Sequence, residues 1–172
     1  MKKLIIIFLL PLVSFSQHFK VENNIVLWQK VYTDSTNLQS IKNYLITHSD
    51  SFKEVKENND KLLFLKEFES LQLKPYGYKA MSFPTYMGNN GSFSGYIEFK
   101  DGKYRVTINN LMVKTIRIVA LEVTDQYDED NISTYILDEN GNINYSKSNT
   151  KALKVFDTYF TQLFTIKEKE DW

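Results

Sequence analysis

From Gly95 to Val113 the chain alternates apolar and polar residues around Asp101-Gly102. Such alternation predicts two half-buried strands, and the Asp-Gly pair predicts a two-residue turn whose central residues both adopt positive φ. A two-residue loop pairs its flanks symmetrically, so the register follows: Lys100 opposite Lys103, Phe99 opposite Tyr104, Glu98 opposite Arg105, Ile97 opposite Val106 and Tyr96 opposite Thr107. Phe99, Tyr104, Ile97, Val106 and Ile108 then share one apolar face that needs a covering layer. Glu98 and Arg105 meet on the other.

The same reasoning extends along the chain. Ile25 to Tyr32 alternates after a tight turn at Asn23-Asn24, placing Val26, Trp28 and Tyr32 on one face of a strand. Thr36-Asn37-Leu38-Gln39 has capping-box spacing, and Leu38, Ile41, Leu45 and His48 recur at helical steps, which predicts a helix over 36–49. Phe52 to Glu57 reads as a short strand with a turn at Asn58-Asn59-Asp60. Lys61 to Lys74 carries two periods at once: Leu63, Leu65, Leu71 and Leu73 alternate as a strand interrupted by a bulge over Lys66 to Ser70, while Leu62, Leu65, Phe68 and Leu71 fit a helix capped by Asp60. Pro75 to Ser94 reads as a long loop, because glycines and prolines punctuate it. It is unusually apolar for a loop. Asn109-Asn110 interrupts the alternation, Leu111 to Val113 resumes it, and Ile116 to Val123 is a last apolar run. Asp125 to Ser133 reads as an acidic loop, Tyr135 to Leu137 as a brief pairing segment and Asp138 to Ser148 as a turn region. Asn149 to Ile166 is helical, with Leu153, Phe156, Phe160, Leu163 and Phe164 in one stripe and Lys151, Lys154, Asp157 and Gln162 opposite.

Composition then narrows the class. Residues 1–16, MKKLIIIFLLPLVSFS, have the basic start, short apolar core and small-residue end of a secretory signal, so a single α+β domain over 17–172 is expected to be exported, periplasmic or secreted, with no integral anchor left after cleavage. There is no cysteine, so no disulfide framework and no thiolate chemistry; twelve Phe and eleven Tyr must supply the core. The net charge is zero and no basic block occurs, which removes the electrostatic footprint for nucleic acid or anionic lipid.

With strands and helices in this order, the IVLWQKVY strand, the Tyr- and Gly-rich segment before GYIEFKDGKYRVTINNL and the final KALKVFDTYFTQLF helix together give a resemblance. The chain resembles an uncharacterised domain family with a TATA-binding-protein-like fold, common in exported Bacteroidetes proteins, over Phe19 to about Ile166. The resemblance implies that Lys61 to Lys74 is a strand, and that the order is β-α-β-β-β-β-α, an antiparallel sheet of about five or six strands with both helices on one face. It brings no activity and no binding residues, and the fold name implies no DNA binding, because function resides in a site.

Candidate chemistry is sparse. His18 and His48 are the only histidines and sit in different elements, without metal-ligand spacing. Asp125, Asp128, Glu129 and Asp130 lack the glycine and terminal glutamate of a calcium loop, and Asp138-x-Asn140-x-Asn142 starts such a loop but has Ile143 at the glycine position. Asn90-Gly91-Ser92 and Asn131-Ile132-Ser133 match the glycosylation triplet and read as turns. The aromatic loop is the richest stretch: Tyr76, Tyr78, Phe83, Tyr86 and Phe93 can stack on a sugar or clamp a peptide, or else pack on the sheet as a lid. The expectation is a non-catalytic binding or interaction module of the cell envelope, without cofactor or metal, whose partner is an envelope protein or glycan. The rival is a small hydrolase using the acidic residues of 125–130.

Overall fold

The computed structural model describes residues 18–33, 37–47, 52–71, 73–78, 83–119 and 122–166, and of 116–119 and 122–126 the backbone alone. The expected signal segment, Thr36 and His48 lie outside the described residues. Among those described, seven strands and three helices follow one another as β1 (Phe19–Glu22), β2 (Ile25–Tyr32), α1 (Leu38–Thr47), β3 (Glu54–Asn58), β4 (Lys61–Phe68), β5 (Gly91–Lys100), β6 (Lys103–Val119), β7 (Glu122–Asn131), α2 (Ser133–Ile136) and α3 (Lys147–Phe164), with 3₁₀ turns at Lys74–Tyr76 and Thr85–Gly88. The strands form one antiparallel sheet in the order β1-β2-β6-β5-β4-β3, and β7 lies against the far half of β6.

Three hairpins share one device. Asn23 and Asn24, Asn59 and Asp60, and Asp101 and Gly102 all have positive φ, as tight two-residue loops between twisted strands require. The β5–β6 register is the one read from the sequence, from Lys100 opposite Lys103 to Tyr96 opposite Thr107. Ile97, Tyr104, Val106 and Ile108 are buried on the helix side. At Asn109 the interruption is a bulge within a continuous strand: Gly95 faces Ile108 while Ser94 faces Asn110. A Cβ on Gly95 would collide with the Thr107 carbonyl, so glycine lets the backbones close there.

Past the bulge the sequence expectations need correction. The apolar run Ile116 to Val123 is divided between β6, ending at Val119, and β7, starting at Glu122; Asp125 to Asn131 belongs to β7 and is not a loop. An edge strand can remain polar on both faces, which is why no apolar alternation marks it; Lys114 faces Glu129 across the pair at 3.8 Å. β2 and β7 lie end to end along β6, and their junction is stitched by two hydrogen bonds. The Ile132 amide donates to the Leu111 carbonyl (2.9 Å), and the Val26 amide to Ser133 Oγ (2.9 Å).

β4 is a strand, but it ends at Phe68 and needs no bulge. Its buried positions are Leu62, Phe64, Lys66 and Phe68, so the inward parity passes through a lysine, while Leu63 is on the exposed side. Beyond it, Leu73 leads into the first 3₁₀ turn. β5 starts at Gly91, inside the segment expected to be a loop. Its Ser92 and Ser94 face away from the helices, and Phe93 points into the core.

Two helices cover one face. In α1, Asn37 Oδ1 accepts the Ser40 amide (2.8 Å), which makes Asn37 the cap, and Gln39 donates to Asn43 rather than back to the cap. α3 begins two residues before the expected start because Ser146 Oγ caps it through the Asn149 amide (3.2 Å). Ala152, Leu153, Val155, Phe156, Phe160 and Phe164 enter the core, where Phe93 meets Phe160 edge-on at 5.0 Å and Phe164 lies 5.1 Å from Phe64. Each such ring contributes roughly 1.5–3 kcal/mol through burial. At the far end of α3, hydroxyls from Tyr44, Tyr104 and Tyr32 reach the carbonyls of Leu163, Phe164 and Thr161.

Candidate functional site

The turn after β4 sets the geometry of the aromatic segment. Leu73 is buried, and its carbonyl accepts the amides of Tyr76 (3.1 Å) and Tyr78 (3.2 Å). Gly77 reverses the chain between them at φ 78°, a conformation that favours glycine. Both tyrosines thereby reach the flank of α3. A hollow of about 270 Å³ lies between Pro75, Tyr76 and Tyr78 on one side and Lys154, Thr158 and Gln162 on the other. A second, of about 240 Å³, shares Tyr78 and Lys154 and adds Thr150 and Lys151. A third, of about 440 Å³, shares Pro75 and Tyr76 and adds Lys66, Glu69 and Tyr159. The three adjoin through these shared walls, a grooved surface beside α3.

The five aromatic residues singled out in the sequence divide into three roles. Tyr76 and Tyr78 line the groove and are half-buried. Phe83 meets Tyr78 edge-on at 5.0 Å and lines none of these hollows. Tyr86 and Phe93 are core residues, at 3% and 0% exposure, and offer no ring face to a ligand: Tyr86 stacks on Tyr135 at 5.0 Å and its hydroxyl donates to Asn149 Oδ1 at 3.4 Å. That the sheet had to claim Phe93 follows from β5 starting at Gly91.

The groove also contains residues that sequence reasoning passed over. Lys151, Lys154, Thr158 and Gln162 recur at helical steps along α3; Lys151, Lys154 and Gln162 were legible only as a wet face, and Thr158 did not stand out at all. The sequence signal, a polar stripe flanking an aromatic loop, becomes a site only when the 3₁₀ turn is laid against it. Lys151 Nζ lies 6.0 Å from the Tyr78 ring centroid. Burial raises the Tyr76 hydroxyl above its ordinary pKa, and burial together with the nearby Tyr76 pushes Tyr159 up to about 12. Both phenols are therefore neutral donors at physiological pH. Burial pushes the Lys66 ammonium down.

Two other hollows differ in chemistry. On the helix-free face, about 450 Å³ is lined by Leu63, Leu65, Ser94 and Tyr96 with Glu54 and Lys56, which pair with each other at 2.8 Å. At the β5–β6 turn, about 520 Å³ is lined by Phe99, Lys100, Lys103, Glu98 and Arg105. Burial alone would raise Glu98, but hydrogen bonds from Lys61 and Arg105 outweigh it and hold its carboxyl below the ordinary value. In the first hollow Glu54 and Lys56 pair with each other, and in the second Glu98 pairs with Arg105.

The acidic segment and the histidine take structural positions. Asp130 Oδ2 accepts the Tyr135 hydroxyl (2.6 Å) and the Thr115 hydroxyl (3.1 Å). Asp138 Oδ1 accepts the amides of Asn140 and Asn142, both at 2.9 Å, closing its own turn. Asn131 Oδ1 accepts both the amide and the hydroxyl of Ser133, and Asn90 Oδ1 accepts the Ser70 amide. His18 Nδ1 and Trp28 Nε1 converge on one oxygen of Asp157, at 2.6 and 2.8 Å. Asp157, expected on the wet side of α3, instead joins the helix to β2. Among the described residues no group of three or more His, Cys, Asp or Glu is placed to hold a metal ion.

An antiparallel sheet roofed on one face by helices in this order is a TBP-like α+β fold. The chain is similar to the crystal structure of a TBP-like protein from Parabacteroides distasonis, with a TM-score of 0.50 and 14% identity, over 84% of this chain and 94% of that one. It is also similar to a DUF4468 family protein from Bacteroides ovatus, with a TM-score of 0.47 and 9% identity, over 90% of this chain and 95% of that one. No family model and no curated protein matches the sequence. At these identities the likeness is one of fold.

Proposed function

We propose that the protein is an exported, non-catalytic binding module of the cell envelope, and that its ligand, a glycan, lies in the groove beside α3. The observation that carries this reading is the placement of Tyr76 and Tyr78 on either side of a glycine reversal, both lining hollows that open onto the hydroxyl and amide groups of Thr158 and Gln162. Flat apolar rings beside hydrogen-bonding groups match the two surfaces of a pyranose, its C–H face and its hydroxyl rim. The leader-like residues 1–16 support export. Among the described residues no helix is long and apolar enough to cross a membrane. The hydrolase alternative has less beneath it, since Asp130 is engaged by two hydroxyls within a strand hydrogen-bonded to β6.

Backbone amide NMR spectra recorded against a panel of neutral and acidic oligosaccharides test the reading. Shifts clustered at Tyr76, Tyr78, Thr158 and Gln162, and lost in Tyr76→Ala/Tyr78→Ala, are expected. Binding that persists undiminished in the double variant, or a panel that moves none of these resonances, contradicts it.

A further inference from the structure

We infer that the surface beside α3 takes a linear, uncharged polysaccharide from within its length, several pyranose units at once; this names the ligand class of the binding reading above and rests on it. The order of the hollows carries the argument. The hollow lined by Thr150 and Lys151 joins the middle one through Tyr78, and the middle one joins the hollow lined by Glu69 and Tyr159 through Tyr76. Among the described residues the two end hollows share none. A saccharide laid along the three therefore meets a half-buried tyrosine at each junction, where a ring face can stack.

Size favours a chain over a single sugar. The two hollows at Tyr78 measure about 270 and 240 Å³, each below the roughly 300 Å³ at which ligand sites begin, so one unit in either leaves much of its surface in water. The third, of about 440 Å³, adjoins the middle one along Pro75 and Tyr76, and an occupant there has further surface to cover. Each hollow offers a polar group to a hydroxyl rim: Thr150 in the first, Thr158 and Gln162 in the middle, Ser70 and the neutral Tyr159 phenol in the third. Charge favours a neutral chain. Lys151 and Lys154 line one end, whereas Lys66, Glu67 and Glu69 line the other, so neither sign runs the length of the surface as a polyanion or polycation would require. The backbone groups of α3 are committed to the helix, so an extended peptide finds no strand edge there on which to add a ladder.

Calorimetric titration of the intact protein with cello-, xylo-, manno- and malto-oligosaccharides of one to six units tests the inference without any variant. In the series that binds, affinity is expected to rise at least about tenfold from the monosaccharide and to level off once about three units fill the three hollows. Reducing the terminal unit of the hexamer to its alditol should leave its affinity unchanged, because internal units occupy the surface. With the hexamer bound, amide shifts are expected at Thr150, Thr158 and Ser70, one in each hollow. A monosaccharide that binds as tightly as the hexamer, loss of binding on end reduction, or shifts confined to one hollow overturns the inference while leaving a saccharide site. Hexagalacturonate binding more tightly than every neutral hexamer overturns it in favour of a charged chain. Absence of binding by every sugar at every length overturns both the inference and the reading beneath it.

Discussion

The Tyr104 hydroxyl donates to the Phe164 carbonyl at 2.8 Å, within the buried layer between the central strand β6 and the end of α3. The last four carbonyls of a helix lack intrahelical partners, and in a core they must find others. Tyr104→Phe keeps the ring and removes only the donor, leaving a buried carbonyl short of a partner. A loss of about 1–3 kcal/mol in urea unfolding is expected. A variant as stable as the parent would show that the bond does not hold the helix end.

Alkaline stability follows from the same tyrosine-rich core. Tyr32, Tyr86 and Tyr159 are all raised, chiefly because burial penalises the phenolate. A raised folded pKa means that the native state keeps a proton the unfolded chain releases. This contribution is therefore complete below the ordinary value of 10.0 and is lost as the pH rises through the folded values, that of Tyr159 at about 12 coming first. Thermal midpoints should fall above pH 10. In a titration at 295 nm, a second rise should coincide with loss of the near-ultraviolet dichroism. Complete phenol ionisation with that dichroism intact would contradict it.

Gly95 tests the bulge. Alanine there brings a Cβ onto the Thr107 backbone carbonyl, which a flexible side chain cannot relieve. Gly95→Ala is expected to cost about 1–3 kcal/mol. Its chemical-shift changes should concentrate on Thr107 to Asn110. Unchanged stability would mean that β5 and β6 separate more easily than this register suggests.

Asp157 ties the first hairpin to α3 through Trp28 and His18. Asp157→Ala leaves the indole N–H without its acceptor, at an expected cost of about 1–3 kcal/mol. Faster hydrogen exchange over Phe19 to Glu22 is the more specific readout. Unaltered exchange in β1 would remove the role assigned to this carboxylate.

Much of the sheet was legible because its hairpins announce themselves locally. Asn23-Asn24, Asn59-Asp60 and Asp101-Gly102 are residue types that tolerate positive φ, and once the turn is known the register is arithmetic. Where the chain departs from that rule, tertiary context decided. Lys66 occupies an inward position that pattern reading treats as a break, since its ammonium lies 5.5 Å from the Phe52 ring centroid at the edge of the core. β7 lacks apolar alternation because it is an edge strand. Gly91 and Gly95 disguised the start of β5 as a loop, although one of them serves a bulge. The groove was half visible: Tyr76 and Tyr78 stood out, but Thr158, Gln162 and the two lysines became relevant only when α3 met the 3₁₀ turn, a contact between segments far apart in sequence that no local pattern encodes.

The most direct test of the groove is a crystal structure of the protein soaked with the oligosaccharides of the panel. Sugar density beside α3, with a pyranose over Tyr78 and another unit against Tyr76, is the expected result. Density confined to the helix-free face around Tyr96, or none in the groove at saturating ligand, would contradict the assignment.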